Sequence, residues 1–69
     1  MKVMNGDLAV SIVIAAQQTN RPVYLKRGVI QVDAKSILGV MSLVDLDDVD
    51  VICDDHEVWD AIMKILMEA

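Results

Sequence analysis

The spacing of apolar residues changes along the chain, and in the second half it predicts a strand followed by a helix. Between Val49 and Cys53, apolar and mostly acidic positions alternate, as expected of a half-exposed strand. From about Glu57 to Glu68 the apolar residues recur at helical spacing. This predicts a closing amphipathic helix, whose apolar side would carry Val58, Trp59, Ile62, Met63, Ile65 and Leu66.

The first part of the chain is expected to form a helix. Asn5-Gly6-Asp7 is typical of a turn into a helix, with Asp7 as the N-cap and an apolar side made of Leu8, Ile12, Ala15 and Ala16. The same stretch contains enough Val and Ile to form a buried strand instead. We favour a helix, because the segment through Thr19 exceeds ordinary strand length and Asn20 to Pro22 provides a stop.

Two further runs rich in β-branched residues predict a hairpin. They are Val23 to Lys26 and Val29 to Val32, and Arg27-Gly28 between them is a plausible turn. Before the first helix, Met1 to Met4 could supply only a short piece of strand. The expected order is therefore strand stub, helix, hairpin, short helix, strand and helix.

The short helix of that order is predicted over Ile37 to Leu43, with Ser36 as its N-cap. No charged residue interrupts this helix, and a helix of this length is not stable without packing. We therefore expect it to be either buried or presented to a partner. The serine lies where a helix N-terminus favours negative charge.

Composition limits the classes of function. Sixty-nine residues with 55% hydrophobic positions are expected to form a single domain, 1–69, with a small core. One cysteine, no signal-peptide pattern and no membrane-length apolar run predict a cytoplasmic protein that does not enter the membrane. Six Lys and Arg against a formal net charge of −5 make nucleic acid an unfavourable partner.

The middle of the chain reads Lys35-Ser36-Ile37-Leu38-Gly39-Val40-Met41-Ser42-Leu43, and it is preceded by Val32-Asp33 and the hairpin. This segment resembles the HPr family of phosphocarrier proteins. This family serves the bacterial sugar phosphotransferase system. The match runs without a gap from about Arg21 to Leu43. The resemblance implies an α+β, HPr-like open-faced sandwich, in which an antiparallel sheet has helices on one face. The first strand would be short or missing.

The family's reactive motif, His-x-Arg-Pro at the start of the first helix, is not matched. Counting back from the hairpin places Asn5 at the phosphoacceptor histidine, Asp7 at the arginine and Leu8 at the proline. An amide is not a useful nucleophile at neutral pH, and the aspartate would repel a phosphoryl group. In this respect the chain is similar to catabolite-repression HPr, and we expect neither a phosphohistidine relay nor enzyme activity.

Other reactive residues have structural interpretations. His56 is expected to be a solvated residue at a helix start, and Cys53 a buried, inert thiol. Asp45 to Asp60 holds eight acids and no Lys or Arg. Within it, the cluster Asp45, Asp47, Asp48 and Asp50 suggests a calcium site, but it lacks the loop glycine and the terminal glutamate of an EF-hand. We therefore expect a solvated acidic edge, with no metal and no cofactor.

The resemblance gives the short helix two functional roles. It implies that Ile37, Leu38 and Met41 form an apolar patch that contacts protein partners, whereas the residues alone favour core and interface equally. It also implies that HPr kinase phosphorylates Ser36, whereas the residues alone support a structural N-cap equally well.

The leading hypothesis is a regulatory binding protein, with HPr kinase or a transcriptional regulator as a partner. An HPr-fold scaffold or oligomerisation module without phosphorylation is the alternative, and a phosphocarrier that uses an unorthodox residue is the third. A shortened first strand would also leave Val49 to Cys53 at a sheet edge. Such an edge, or the apolar short helix, could support a weak homodimer, although Asp48, Asp50 and Asp54 would discourage indiscriminate pairing.

Overall fold

The computed structural model describes residues 4–68 and contains three helices and three strands in the expected order. The elements are α1 Gly6–Ala16, β1 Val23–Arg27, β2 Ile30–Asp33, α2 Ile37–Met41, β3 Asp50–Cys53 and α3 His56–Glu68. The predicted stub from Met1 to Met4 lies outside the described residues except for Met4, which is not in a strand. Within residues 4–68, no helix is long and apolar enough to cross a membrane.

The three strands form an antiparallel sheet in the order β2-β1-β3. In the central strand, Val23 and Leu25 are buried beneath the helices, whereas Lys26 lies exposed on the opposite face. This alternation follows from the two-residue period of a strand. Since the helices cover only one face, the predicted α+β open-faced sandwich is confirmed.

The hairpin turn lies one residue later than predicted. Arg27 pairs with Ile30, so the two turn residues are Gly28 and Val29 rather than Arg27 and Gly28. Gly28 has a φ of 62°, which glycine adopts without the steric cost of a side chain. A glycine with positive φ at the first of two turn positions is typical of a type II′ hairpin turn.

The N-cap of α1 also differs from the prediction. Asn5, not Asp7, occupies this position, with an extended backbone and a side-chain oxygen that accepts a hydrogen bond from the Leu8 N–H at 2.9 Å. Asp7 lies inside the first turn, where its negative charge interacts favourably with the positive end of the helix dipole. Asn5 and Asp7 are both good capping residues, and the prediction that Asp7 is the N-cap was wrong.

Helix α2 ends at Met41, two residues before the predicted end at Leu43. The N–H groups of Ser42, Leu43 and Val44 donate to carbonyls three residues earlier, so the chain tightens into successive turns. The Ser42 hydroxyl also donates to the Gly39 carbonyl at 2.6 Å. The Gly39 carbonyl therefore accepts hydrogen bonds from both the N–H and the hydroxyl of Ser42.

The core lies between the sheet and the helices. Helix α3 begins one residue earlier than predicted and buries Val58, Ile62 and Leu66, which are spaced four residues apart. Each such side chain contributes about 1.5–3 kcal/mol on removal from water. The other fully buried large residues are Met4, Ile12, Val23, Leu25, Val40, Leu43 and Val49.

Candidate functional site

Ser36 caps α2 as predicted. Its backbone is extended, with φ −102° and ψ 116°, and its Oγ accepts a hydrogen bond from the Gly39 N–H at 3.3 Å. The bond is long for an N–H···O contact, and the residue is exposed. The hydroxyl therefore stabilises the helix start while remaining accessible to solvent.

The loop before Ser36 is fixed by two hydrogen bonds. The Lys35 N–H donates to the Asp33 carboxylate at 2.9 Å, which forms a tight side-chain turn. The Lys35 ammonium donates to the Thr19 carbonyl at 2.6 Å, in the segment that follows α1. These contacts hold the start of α2 in place and direct the lysine charge toward Thr19.

Three apolar side chains of α2 are exposed. The exposed fraction is 83% for Leu38, 43% for Met41 and 42% for Ile37, and we call these three residues the α2 surface. Val40, on the opposite side of the helix, is fully buried and attaches α2 to the core. The structure thus places the three predicted partner-binding residues on one exposed side of the helix that Ser36 begins.

Gly39 allows α2 to lie close to the end of β2. A Cβ at this position would approach the Asp33 carbonyl oxygen to 3.3 Å, which is tighter than ordinary contacts. A larger residue would therefore push the helix start away from the strand. The glycine matters here for space, since its φ is not positive.

Two exposed apolar residues of α1 were not anticipated from the sequence. Val10 and Ile14 are 49% and 57% exposed and lie four residues apart, so they share one side of the helix. The predicted apolar side included only Leu8, Ile12, Ala15 and Ala16. The sequence did indicate exposed apolar residues here, because α1 is apolar nearly all round and a surface helix of this kind cannot bury every side chain.

His56 lies at the start of α3 and is exposed, as predicted. Its side chain is 83% exposed, its ring stacks on Trp59 with centroids 6.3 Å apart, and its Nε2 lies 3.4 Å from Asp60 Oδ2. The preceding Asp55 accepts a hydrogen bond from the Val58 N–H at 3.2 Å. This bond, helped by one from the Thr19 side chain, lowers the pKa of Asp55 below its ordinary value of 3.8.

Cys53 is half-buried rather than fully buried, which corrects the prediction. Its Sγ accepts a hydrogen bond from the Asp55 N–H at 3.3 Å and donates to the Asp55 carbonyl at 3.5 Å. Cys53 is paired with the buried Val23 on the helix side of the sheet and packs against the core.

The acidic segment between α2 and β3 has an irregular backbone. Asp45 and Asp48 adopt positive φ values of 72° and 52°, which short polar side chains tolerate better than most. Arg27 fastens the segment to the hairpin, since it donates to the Asp47 carbonyl at 2.6 Å and carboxylate at 3.1 Å. Among residues 4–68, no group of three His, Cys, Asp or Glu side chains is arranged to hold a metal ion.

The solved structures that are similar to this chain include the following two. The first is seleno-methionyl Crh, the Bacillus subtilis catabolite repression containing protein, described as a swapped, intertwined dimer. It shares 27% identity with this chain at a TM-score of 0.81, over 96% of this chain and 82% of Crh. The second is an HPr dimer from Thermoanaerobacter tengcongensis, with 23% identity, a TM-score of 0.65 and coverage of 99% and 85%.

Sequence comparison alone does not reach this result, because no family model and no curated protein matches the chain. The likeness to Crh extends over nearly the whole chain, and the likeness to the HPr structure covers 99% of it. The chain therefore has the HPr-like α+β fold of Crh and HPr.

Proposed function

We propose that this HPr-like chain is a non-enzymatic regulatory protein of the cytoplasm that binds protein partners through the α2 surface. The observation that carries the proposal is the exposure of Ile37, Leu38 and Met41 directly after an accessible serine cap. A buried Val40 holds the same helix against the core, so these apolar residues are presented on a rigid support. Exposed apolar clusters of this kind often mark interfaces.

The second part of the proposal is that the chain does not carry phosphohistidine. Counting back from the matched hairpin places Asn5 at the family's phosphoacceptor position, and the Asn5 side chain is engaged as the N-cap of α1. Asp7 lies in the same first turn and adds negative charge where an incoming phosphoryl group would need positive charge. The only histidine of the sequence is His56, which lies beside Asp60 and among Asp54, Asp55 and Glu57.

Incubation with enzyme I and labelled phosphoenolpyruvate tests this second part. We expect no acid-labile label on the protein, with an authentic HPr as the positive control. Label that disappears in the His56→Gln variant would instead establish an unorthodox phosphocarrier. The His56→Gln substitution is a suitable control, because the exposed side chain contributes little to the core.

The third part of the proposal is that phosphorylation of Ser36 regulates binding. A phosphate would add about −1.5 to −2 charges and three acceptor oxygens at the first N–H groups of α2. Its interaction with the helix dipole is worth about 0.3–1 kcal/mol. Lys35 could strengthen the site only by releasing its hydrogen bond to Thr19. The modification would therefore place a large charge beside Ile37 and change the partners that the α2 surface accepts.

Binding to HPr kinase provides a direct test of the α2 surface. Leu38→Ser should weaken binding about tenfold or more if Leu38 is a central anchor of the interface, because truncation of such an anchor costs over about 1 kcal/mol. Val29→Ser is the matched control, since Val29 is fully exposed but lies in the hairpin turn. Equal affinities for the two variants would show that the α2 surface is not the binding site.

Self-association is a second candidate function, because both relatives are described as dimers. The β3 edge and the α2 surface are the two sites at which a weak homodimer could form. Such a dimer, without modification of Ser36, would correspond to the scaffold alternative. Sedimentation at high micromolar concentration should show reversible dimer formation, and a strict monomer would contradict this candidate.

A further inference from the structure

Among residues 4–68, β3 has a neighbouring strand on one side only, and the direction of its backbone groups can be assigned from the strand pairing. The Ala34 N–H donates to the Val23 carbonyl at 2.8 Å, so the backbone groups of Val23 point toward β2. Successive residues of a strand direct these groups to opposite sides, so the next residue of β1 points toward β3 and pairs with Ile52. Val51 and Cys53 therefore direct their N–H and C=O groups away from β1.

One of these outward groups has a partner. The Trp59 indole N–H, on α3, donates to the Val51 carbonyl at 3.3 Å. Among residues 4–68, we find no hydrogen-bonding partner for the Val51 N–H or for the backbone groups of Cys53. A carbonyl oxygen has two lone pairs, so Val51 could accept a second hydrogen bond while the indole stays in place.

The side chains around this edge are acidic. Asp50 and Asp54 are exposed at the two ends of the strand, and Asp48 is exposed just before it. Two copies of β3 paired edge to edge would bring these carboxylates close to their counterparts, which is unfavourable. The edge is therefore suited to a cationic strand and poorly suited to a second β3.

A pocket near the Cys53 end of β3 has matching chemistry. It has a volume of about 230 Å³ and is lined by Pro22, Tyr24, Ile52, Cys53 and Asp54. A lysine or arginine side chain could lay its apolar stem on Ile52 and Tyr24 and direct its charge to Asp54. The tyrosine ring face adds a favourable interaction with a cation.

We propose that the β3 edge binds an extended, cationic peptide segment of another protein by strand addition. The main-chain groups of Val51 and Cys53 provide hydrogen bonds, and alternate side chains of the peptide contact the acidic rim and the pocket. This interaction uses none of the α2 surface, so it is independent of the partner binding proposed for that surface, and it competes with self-association at the β3 edge. It also leaves the α2 surface as the site available for self-association.

The test uses a short synthetic peptide of alternating valine and lysine, with blocked ends. Trp59 is the only tryptophan of the sequence and contacts the edge, so its fluorescence reports binding directly. We expect the fluorescence to change with peptide, and the NMR amide signals of Val51 and Cys53 to shift. A peptide with glutamate in place of lysine should give neither response, and added salt should weaken binding because it screens exposed charges.

Two kinds of variant separate the backbone contribution from the charge contribution. Val51→Pro removes the outward N–H, which an edge strand tolerates, together with some core contacts of the valine side chain, and should abolish the response with an unchanged far-UV spectrum. Asp54→Lys should weaken binding roughly tenfold through the loss of one attraction and the gain of one repulsion. Asp7→Lys, with the same change of charge on α1, should have a much smaller effect and serves as the matched control.

Three results would overturn the proposal. The first is equal binding of the lysine and glutamate peptides. The second is a shift of Leu38 and Met41 amides in place of those of β3. The third is a Val51 amide shift that appears on raising protein concentration without peptide, since the edge would then be occupied by a second copy. If Val51→Pro does not fold, the comparison of Asp54→Lys with Asp7→Lys decides the question.

Discussion

Replacing Ser36 with alanine removes the cap of α2 and gives a quantitative test of its structural role. Loss of a serine N-cap costs about 0.5–2 kcal/mol. The Gly39 N–H to Ser36 Oγ distance of 3.3 Å and the exposure of the residue place this cap at the weak end of that range. We expect a loss of about 0.5–1 kcal/mol, which lowers Tm by about 3–7 °C in a chain of this size. Ser36→Asp should retain most of the stability, because aspartate is also a good N-cap.

Urea unfolding followed by circular dichroism and Trp59 fluorescence measures these differences. Ser11→Ala is the control, because the Ser11 hydroxyl bonds the Asp7 carbonyl at 3.2 Å inside α1. Alanine is the better helix former there, so this variant should be unchanged or slightly more stable. If Ser36→Ala were as stable as the parent, or Ser36→Asp less stable than Ser36→Ala, the capping argument would be refuted.

Other substitutions test the core, the surface and the acidic segment. Leu25→Ala should cost about 2–5 kcal/mol in urea unfolding, because Leu25 is fully buried in the central strand. Leu38→Ser should change the free energy of unfolding by less than about 0.5 kcal/mol, because the side chain is 83% exposed. Asp45→Gly should raise the free energy of unfolding by about 0.5–1 kcal/mol, and Tm with it, since glycine adopts a φ of 72° without strain. Asp55 has a pKa below 3.8 in the fold, so it stabilises the protein above that pH and loses this effect as pH falls through the lowered pKa. Asp55→Ala should therefore be less stable at pH 7 and show a smaller loss of stability on acidification, measured by thermal unfolding across pH.

The order of elements could be predicted from the sequence because the apolar periods are clear. The alternation before Cys53 and the helical spacing after Glu57 both reflect residues that face the core in the structure. Ser36 could be predicted as a cap because no competing cap lies beside it. The three residues of the α2 surface could be named only through the family resemblance, since periodicity does not distinguish a core side chain from a partner-binding one.

Contacts between distant parts of the chain could not be predicted. Asn5, and not Asp7, caps α1. The preceding residue, Met4, is joined by two backbone hydrogen bonds to Asp45 and Leu46, which lie far along the chain. Both candidate residues can cap a helix, so local preference does not decide between them. The indole bond from Trp59 to the outer edge of β3 likewise depends on how α3 packs against the sheet, and helical spacing alone does not reveal it.

Phosphorylation by purified HPr kinase, followed by mapping of the modified residue by mass spectrometry, tests the proposed regulation most directly. Ser36 is accessible at the start of α2, whereas the Ser42 hydroxyl is bonded to the Gly39 carbonyl and the Ser11 hydroxyl to the Asp7 carbonyl. We expect phosphate on Ser36 alone and no phosphate in the Ser36→Ala variant. An unmodified protein, or phosphate on Ser11 or Ser42, would contradict regulation at Ser36 and favour the scaffold function.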